Sequence, residues 1–146
     1  MTRFRQHRQE RGAAAIEFAL VFSLLFGLFW AMVSYAFPLF LLQVMNRATA
    51  EAARVAIKAD PSTSGYATTV NTLAGNELTR QLAWLPSTFS SPLTRTITID
   101  GSNVLTVRLA YLNYKSHPIV PALNFPGIGQ IPNMPTDLVA QSSIKL

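Results

Sequence analysis

The stretch "AAAIEFALVFSLLFGLFWAMVSYAFPLFLL", Ala13–Leu42, carries one charge, Glu17, and its other interruptions are Ser23, Gly27, Ser34 and Pro38. About 20 apolar residues suffice to span a hydrocarbon core, so the run predicts a transmembrane helix. At about 1.5 Å per residue it reaches roughly 45 Å, against a core of about 30 Å, so its distal end should leave the lipid. Pro38 has no amide hydrogen to return to the Ser34 carbonyl, which predicts a kink if the helix is continuous.

Charge gives the orientation. Arg3, Arg5, Arg8 and Arg11 against Glu10 place +3 of the total +5 in the first twelve residues. This favours a cytoplasmic N-terminus, although Arg47, Arg54 and Lys58 beyond the run weaken the bias. The remainder has too little positive charge for a basic face, which sets nucleic-acid binding aside. With no cysteine, disulfides, thiolate chemistry and cysteine-ligated metals are excluded.

Beyond Pro38, "QVMNRATAEAARVAIKA" (Gln43–Ala59) holds Val44, Ala48, Ala52, Val55 and Ala59 at helical spacing, with charges elsewhere. The helix should therefore run on as an amphipathic stem, which Asp60-Pro61 and "STSG" end. Glu17 has two readings. A carboxylate near the start of a spanning helix can reach water and meets a favourable dipole, whereas an acid held within the membrane can instead mark a functional charge partner.

Arg11-Gly12, the small residues Ala13 to Ala15, Glu17 and Phe18, ahead of a long apolar helix, resemble the processing site of type IV pilin-like precursors. The wider segment from Arg11 to Ala56, with its "AAR" at Ala52 to Arg54, resembles TadE-like proteins, minor pseudopilins of tight-adherence (Flp) pilus systems. That resemblance implies a prepilin peptidase cutting between Gly12 and Ala13 on the cytoplasmic side, with Glu17 becoming the fifth mature residue. It implies other pilin and pseudopilin subunits and the bacterial inner membrane as partners, and a role in adhesion-pilus assembly. A glycine before the cut lets backbone approach a protease closely. The new ammonium at Ala13 would lie one turn from Glu17, whose charge offsets it on the same or a neighbouring subunit.

The rest predicts an exported α+β domain. "YATTVNTLAGNELTRQLAWL" (Tyr66–Leu85) reads as an amphipathic helix through Tyr66, Val70, Leu73, Leu78, Leu82 and Leu85. "PSTFSSP" (Pro86–Pro92) reads as a linker, with Trp84 and Phe89 beside it at a core edge. "LTRTITID" and "VLTVRLAYL" alternate around Asp100-Gly101, a hairpin signal, and Leu138 to Leu146 alternate again. A second helix on a three-stranded antiparallel sheet follows. The segment Lys115–Pro135 has five prolines and reads as irregular, with its apolar residues, Phe125 and Ile128 among them, packed over the open side of the sheet.

No nucleophile elbow, metal cluster or phosphate loop is present in the sequence, so an enzyme and a bound cofactor are not expected. The expected division is a basic leader over 1–12, a membrane helix and stem over 13–59, and a periplasmic domain over 60–146. The leading expectation is a minor pseudopilin that is a structural or assembly-initiating subunit. One alternative is an uncleaved single-pass protein whose periplasmic domain binds other secretion components. Another is release by signal peptidase after "SYA" (Ser34–Ala36), against which the apolar run continues through Leu42.

Overall fold

The computed structural model describes residues 6–121, 123–125, 129–131 and 133–146. One helix, α1, runs over Gln6–Ala56 without a break at Pro38. At about 1.5 Å per residue it is roughly 76 Å long. Its proximal part is apolar on every side: Ile16, Phe18, Leu20, Leu24, Phe29 and Met32 are all exposed, and Gly12–Ala56 contains a window of mean hydropathy 2.2. A helix with no polar face and no protein around it is suited to lipid or to other apolar helices. Ser23 meets that environment by donating its hydroxyl to the Ala19 carbonyl at 2.7 Å, which satisfies it within the helix.

After Pro38 the same helix becomes one-sided. Leu41, Met45, Ala48, Ala52 and Ala56 recur at steps of three and four and are buried, with Ala53 and Ala59 beside them, while Arg47, Arg54 and Lys58 face outward. Of the expected stripe, Ala48, Ala52 and Ala59 are buried and Val44 and Val55 lie half-buried on its flanks. The run of alanines leaves little side chain between α1 and its neighbours, so backbones can approach closely. Bonds from Lys58 to Val55 and from Ala59 to Ala56 tighten the end of α1, and Asp60 closes the turn by accepting from the Ser62 amide at 2.9 Å.

Gly65, at φ +85°, turns the chain into α2, Tyr66–Leu82. This left-handed position is one that glycine adopts without steric cost. Val70, Ala74, Leu78 and Leu82 form its buried face. Glu77 lies on the same face, only 6% exposed, and accepts from Arg80 at 2.6 and 2.8 Å and from Gln81 at 2.7 Å. Those bonds satisfy a carboxylate that burial would otherwise penalise. A single helical turn, α3 (Ser87–Ser90), replaces the linker expected over Pro86–Pro92.

The three-stranded sheet consists of β1 (Leu93–Ile99), β2 (Val104–Tyr111) and, after the proline-rich segment, a last strand over Leu138–Lys145, with β2 in the centre and both pairings antiparallel. The expected α+β class is therefore the observed one. At the β1–β2 turn Asn103 donates its amide to the Asp100 carbonyl, and the left-handed residue is Asn103, at φ +58°, not Gly101. Asp100 stitches the loop by accepting from the Ser102 and Val104 amides, each at 2.9 Å. The hairpin thus has a three-residue loop ending in a left-handed residue, one of the standard solutions for right-twisted strands.

Register puts Ile97, Val107 and Ser142 on one face and Thr98, Thr106 and Ser143 on the other. The first face meets α1 over β2 and the last strand, and α2 over β1. The second is polar: Thr94, Thr96, Thr98, Arg108, Gln141 and Lys145 are exposed, and Thr106 and Ser143 share a hydrogen bond of 3.0 Å. The proline-rich segment was expected to cover the open side of the sheet; of its described apolar residues, Met134 is buried in the main core and Ile119 packs against it, while Ala110, buried, and Val139, exposed, are apolar residues on the polar face. The segment also contains two short strands, β3 (Leu123–Phe125) and β4 (Gly129–Ile131), paired with each other, where none was expected. In chain order the last strand, Leu138–Lys145, is β5. The side chain of Phe125, and Ile128 entirely, lie outside the described residues.

The core is thus shared between the distal half of α1, α2 and the sheet, and a fragment starting at Pro61 would lack Leu41, Met45, Ala48 and Ala52. Met45→Ala in the full chain should cost about 2 to 5 kcal/mol, read as a lowered thermal midpoint in detergent, and a Pro61–Leu146 fragment should not fold cooperatively. Hydrogen bonds from Arg80, then from Gln81, hold the Glu77 carboxyl below its ordinary value. A lowered pKa adds stability above the unfolded value of about 4.3 that is lost as pH falls through the folded value. The midpoint should therefore drop between about pH 6 and pH 3, and drop less in Glu77→Gln.

Candidate processing and assembly site

Gly12, Ala13 and Glu17 lie on the proximal part of α1, and all three are exposed. Ala13 and Glu17 are four positions apart, so their side chains share a helical face at about 5 to 6 Å between Cβ atoms. Any cation formed at the Ala13 nitrogen would lie within a turn of that carboxylate. No hydrogen bond or ion pair engages Glu17 among the described residues, in contrast to Glu51, which accepts from Arg54 at 2.6 Å, and Glu77. The acid in the span is unlike the acids of the domain, each of which has a partner built into the fold beside it.

Gly12 has open space around it: a Cβ built there would meet nothing within 4 Å. Packing inside the described fold therefore does not demand a glycine there. Its peptide bonds are part of α1. A helical peptide bond is not presented to a protease cleft, so cleavage at Gly12 requires the first turns to unwind locally. Glycine lowers that cost, being about 1 kcal/mol worse than alanine in a helix, and the position lies close to a helix end that frays readily. The side chains of Arg8 and Arg11 lie outside the described residues.

Phe18, Phe22, Phe26 and Trp30 stack in sequence along α1, with ring centroids 5.9, 6.0 and 6.2 Å apart. The spacing of four was present in the sequence, and the ladder was not anticipated. It begins beside Glu17 and ends one turn before Ser34, so one side of the span is a continuous aromatic ridge. Pro38, expected as a kink site, lies inside α1 and lines a cleft of about 440 Å³ with Tyr35, Leu39, Leu42, Pro135, Asp137, Leu138 and Val139. Tyr35 donates its hydroxyl to the Asn133 carbonyl at 3.4 Å, which ties the helix to the segment entering β5.

A second cleft, about 480 Å³, is lined by Phe89, Tyr111, Leu112, His117, Pro118 and Ile119. His117 has no acid beside it among the lining residues, so the cleft lacks the acid–base pair that hydrolysis would use. No group of three metal-binding side chains occurs among the described residues. Trp84, expected at a core edge, is instead 59% exposed and packs edge-on against Phe40 at 6.1 Å, while Phe89 is half-buried against the core.

Among known families, the model described as TadE-like protein matches residues 12–54. It begins at Gly12, includes Ala13, Glu17 and Pro38, and ends with the "AAR" of the stem, so the resemblance seen in the residues is found independently over the same segment. TadE-like proteins are membrane components associated with the Tad pilus and are not an enzyme family. No curated protein and no solved structure matches the chain.

Because Glu17 makes no contact within the described fold, Glu17→Gln should leave the thermal midpoint of the detergent-solubilised chain nearly unchanged, within about 0.5 kcal/mol. A clear destabilisation would mean that the carboxylate serves the fold itself.

Proposed function

Starting from a membrane-anchored chain whose residues 12–54 match the TadE-like family, we propose that it is a minor pseudopilin of a tight-adherence pilus, processed by a prepilin peptidase. The peptidase hydrolyses the Gly12–Ala13 amide at the cytoplasmic face of the bacterial inner membrane. Water adds to the carbonyl, Gly12 leaves as the carboxylate of the 1–12 leader, and Ala13 becomes the ammonium terminus of the mature chain. The α+β domain lies in the periplasm, and the protein primes the filament or enters it beside other pilin and pseudopilin subunits.

The observation that carries this reading is Glu17, without a partner among the described residues, one turn from the nitrogen that cleavage would expose, on a helix apolar on all sides. A carboxylate at the edge of the hydrocarbon is only partly hydrated, and so is an ammonium formed there. Bringing the two together, within one chain or across two, offsets both charges and sets the register of neighbouring helices to within a turn. Adhesion and biofilm formation would follow from the filament, with the chemistry performed on this chain and not by it.

One observation favours a second reading, an uncleaved single-pass assembly factor: α1 runs unbroken through Gly12, so the scissile bond is helical. Intact mass and N-terminal sequencing of the membrane-extracted protein, expressed with the matching peptidase, separate the two. The mature chain should start at Ala13, and Gly12→Val should leave it uncut, since a side chain there obstructs the approach of the protease. An unchanged Met1 with active peptidase would establish the single-pass reading, and a terminus at Phe37 would establish release by signal peptidase. In cells, Glu17→Gln should reduce pilus-dependent adherence while the protein still inserts.

A further inference from the structure

Trp84 lies in the turn after α2 and touches α1 at Phe40, well away from Glu17. A tryptophan more than half exposed on a small domain is a costly apolar surface unless something covers it. Its height along α1 identifies what does. Counting from Glu17, taken as the edge of the hydrocarbon because a carboxylate there can reach water, a core of about 30 Å ends about 20 residues on, at Phe37. Phe40 and Trp84 then stand about 4 to 5 Å above that edge, inside a headgroup zone of roughly 5 to 7 Å per leaflet.

Other features at this level agree. Tyr35, Phe37 and Leu39 are exposed on α1 directly below, and the apolar cleft at Pro38 opens there on the β5 side. On the α2 side, Arg47 lines one cleft with Phe40, Val44, Gln81 and Trp84. Going outward along the helix, the order is apolar side chains, then an indole ring, and the backbone of Arg47 lies about 10 Å further out, beyond the headgroup zone. The first two follow the order of a leaflet: acyl chains, then the interface where tryptophan and tyrosine concentrate.

We propose that the end of the domain built from Phe37, Leu39, Phe40 and Trp84 is an interfacial anchor seated in the lipid headgroup layer, and that it fixes the height and tilt of the domain over the bilayer. The occupant of this surface is phospholipid. The anchor depends on the span and is independent of cleavage at Gly12, so it is present in the precursor and in the mature chain alike.

Trp30 and Trp84 are the two tryptophans, so Trp30→Phe leaves Trp84 as the sole indole reporter. The full-length variant, shown to be folded by circular dichroism, is reconstituted into phosphatidylcholine–phosphatidylglycerol vesicles. The phospholipid is brominated either close to the glycerol end of the acyl chain or near its methyl end. Trp84 emission should be blue-shifted relative to the denatured chain and should lose more intensity with the shallow bromines than with the deep ones. Three results would overturn the anchor: emission untouched by either lipid but quenched by aqueous iodide, which places the surface in water; emission untouched by lipid and by iodide, which assigns it to a second copy of the chain; or stronger quenching by the deep bromines, which places Trp84 within the hydrocarbon.

Discussion

The structure depends on the continuity of α1 through Pro38. A proline inside a helix removes one backbone bond and crowds the preceding turn, and in water that commonly ends the helix. Here the break is resisted on both sides. Before Pro38 the helix is apolar on every side, and in lipid, where an unsatisfied carbonyl costs more than in water, helical bonding would be strongly enforced. After it, Leu41, Met45 and Ala48 are held in the core against α2 and the sheet. The side-chain pattern changes from all-round apolar to one-sided within a turn of the same proline that weakens the helix.

Because α1 is at once the anchor and a wall of the core, movement of the span is transmitted directly to the domain. No flexible linker separates them. Alanines at 48, 52, 53 and 56 reinforce this coupling, since a short side chain allows close backbone approach and leaves little freedom to slide. A force on the helix, from lipid or from neighbouring helices, is therefore carried into the domain as a rigid displacement.

Long, periodic elements were readable from the residues alone. The apolar run, the α2 stripe of Val70, Leu78 and Leu82, and the three alternating strands each repeat a period often enough to stand out. The misses share a physical cause. α3 is one turn and β3 and β4 have three residues each, too short for any period to be expressed. The proline-rich segment has apolar content but no period, so the sequence alone does not say which of its residues join the core, as Met134 does. Thr94, Thr96 and Thr98 alternate as strictly as Leu105, Val107 and Leu109, and read together they mark a solvated face. For the candidate site, Gly12 and Glu17 were recognisable from their order, whereas the exposure of Trp84 depends on where α2 ends, at Leu82 instead of Leu85, which a period of 3.6 cannot specify.

The two halves of the chain place their polar groups by opposite rules. In the domain each buried or half-buried acid is neutralised locally: Glu77 by Arg80 and Gln81, and Glu51 by Arg54. The domain can therefore fold without help from another molecule. In the span, Glu17 has no such partner among the described residues, and the surfaces around it are a stacked aromatic ridge and open helix. A carboxylate on an all-apolar helix, with no partner among the described residues, gains most by meeting a cation that arrives from outside. Stability is thus completed within the domain, while the incomplete electrostatics are concentrated at one position on the helix, where association can change them without disturbing the fold.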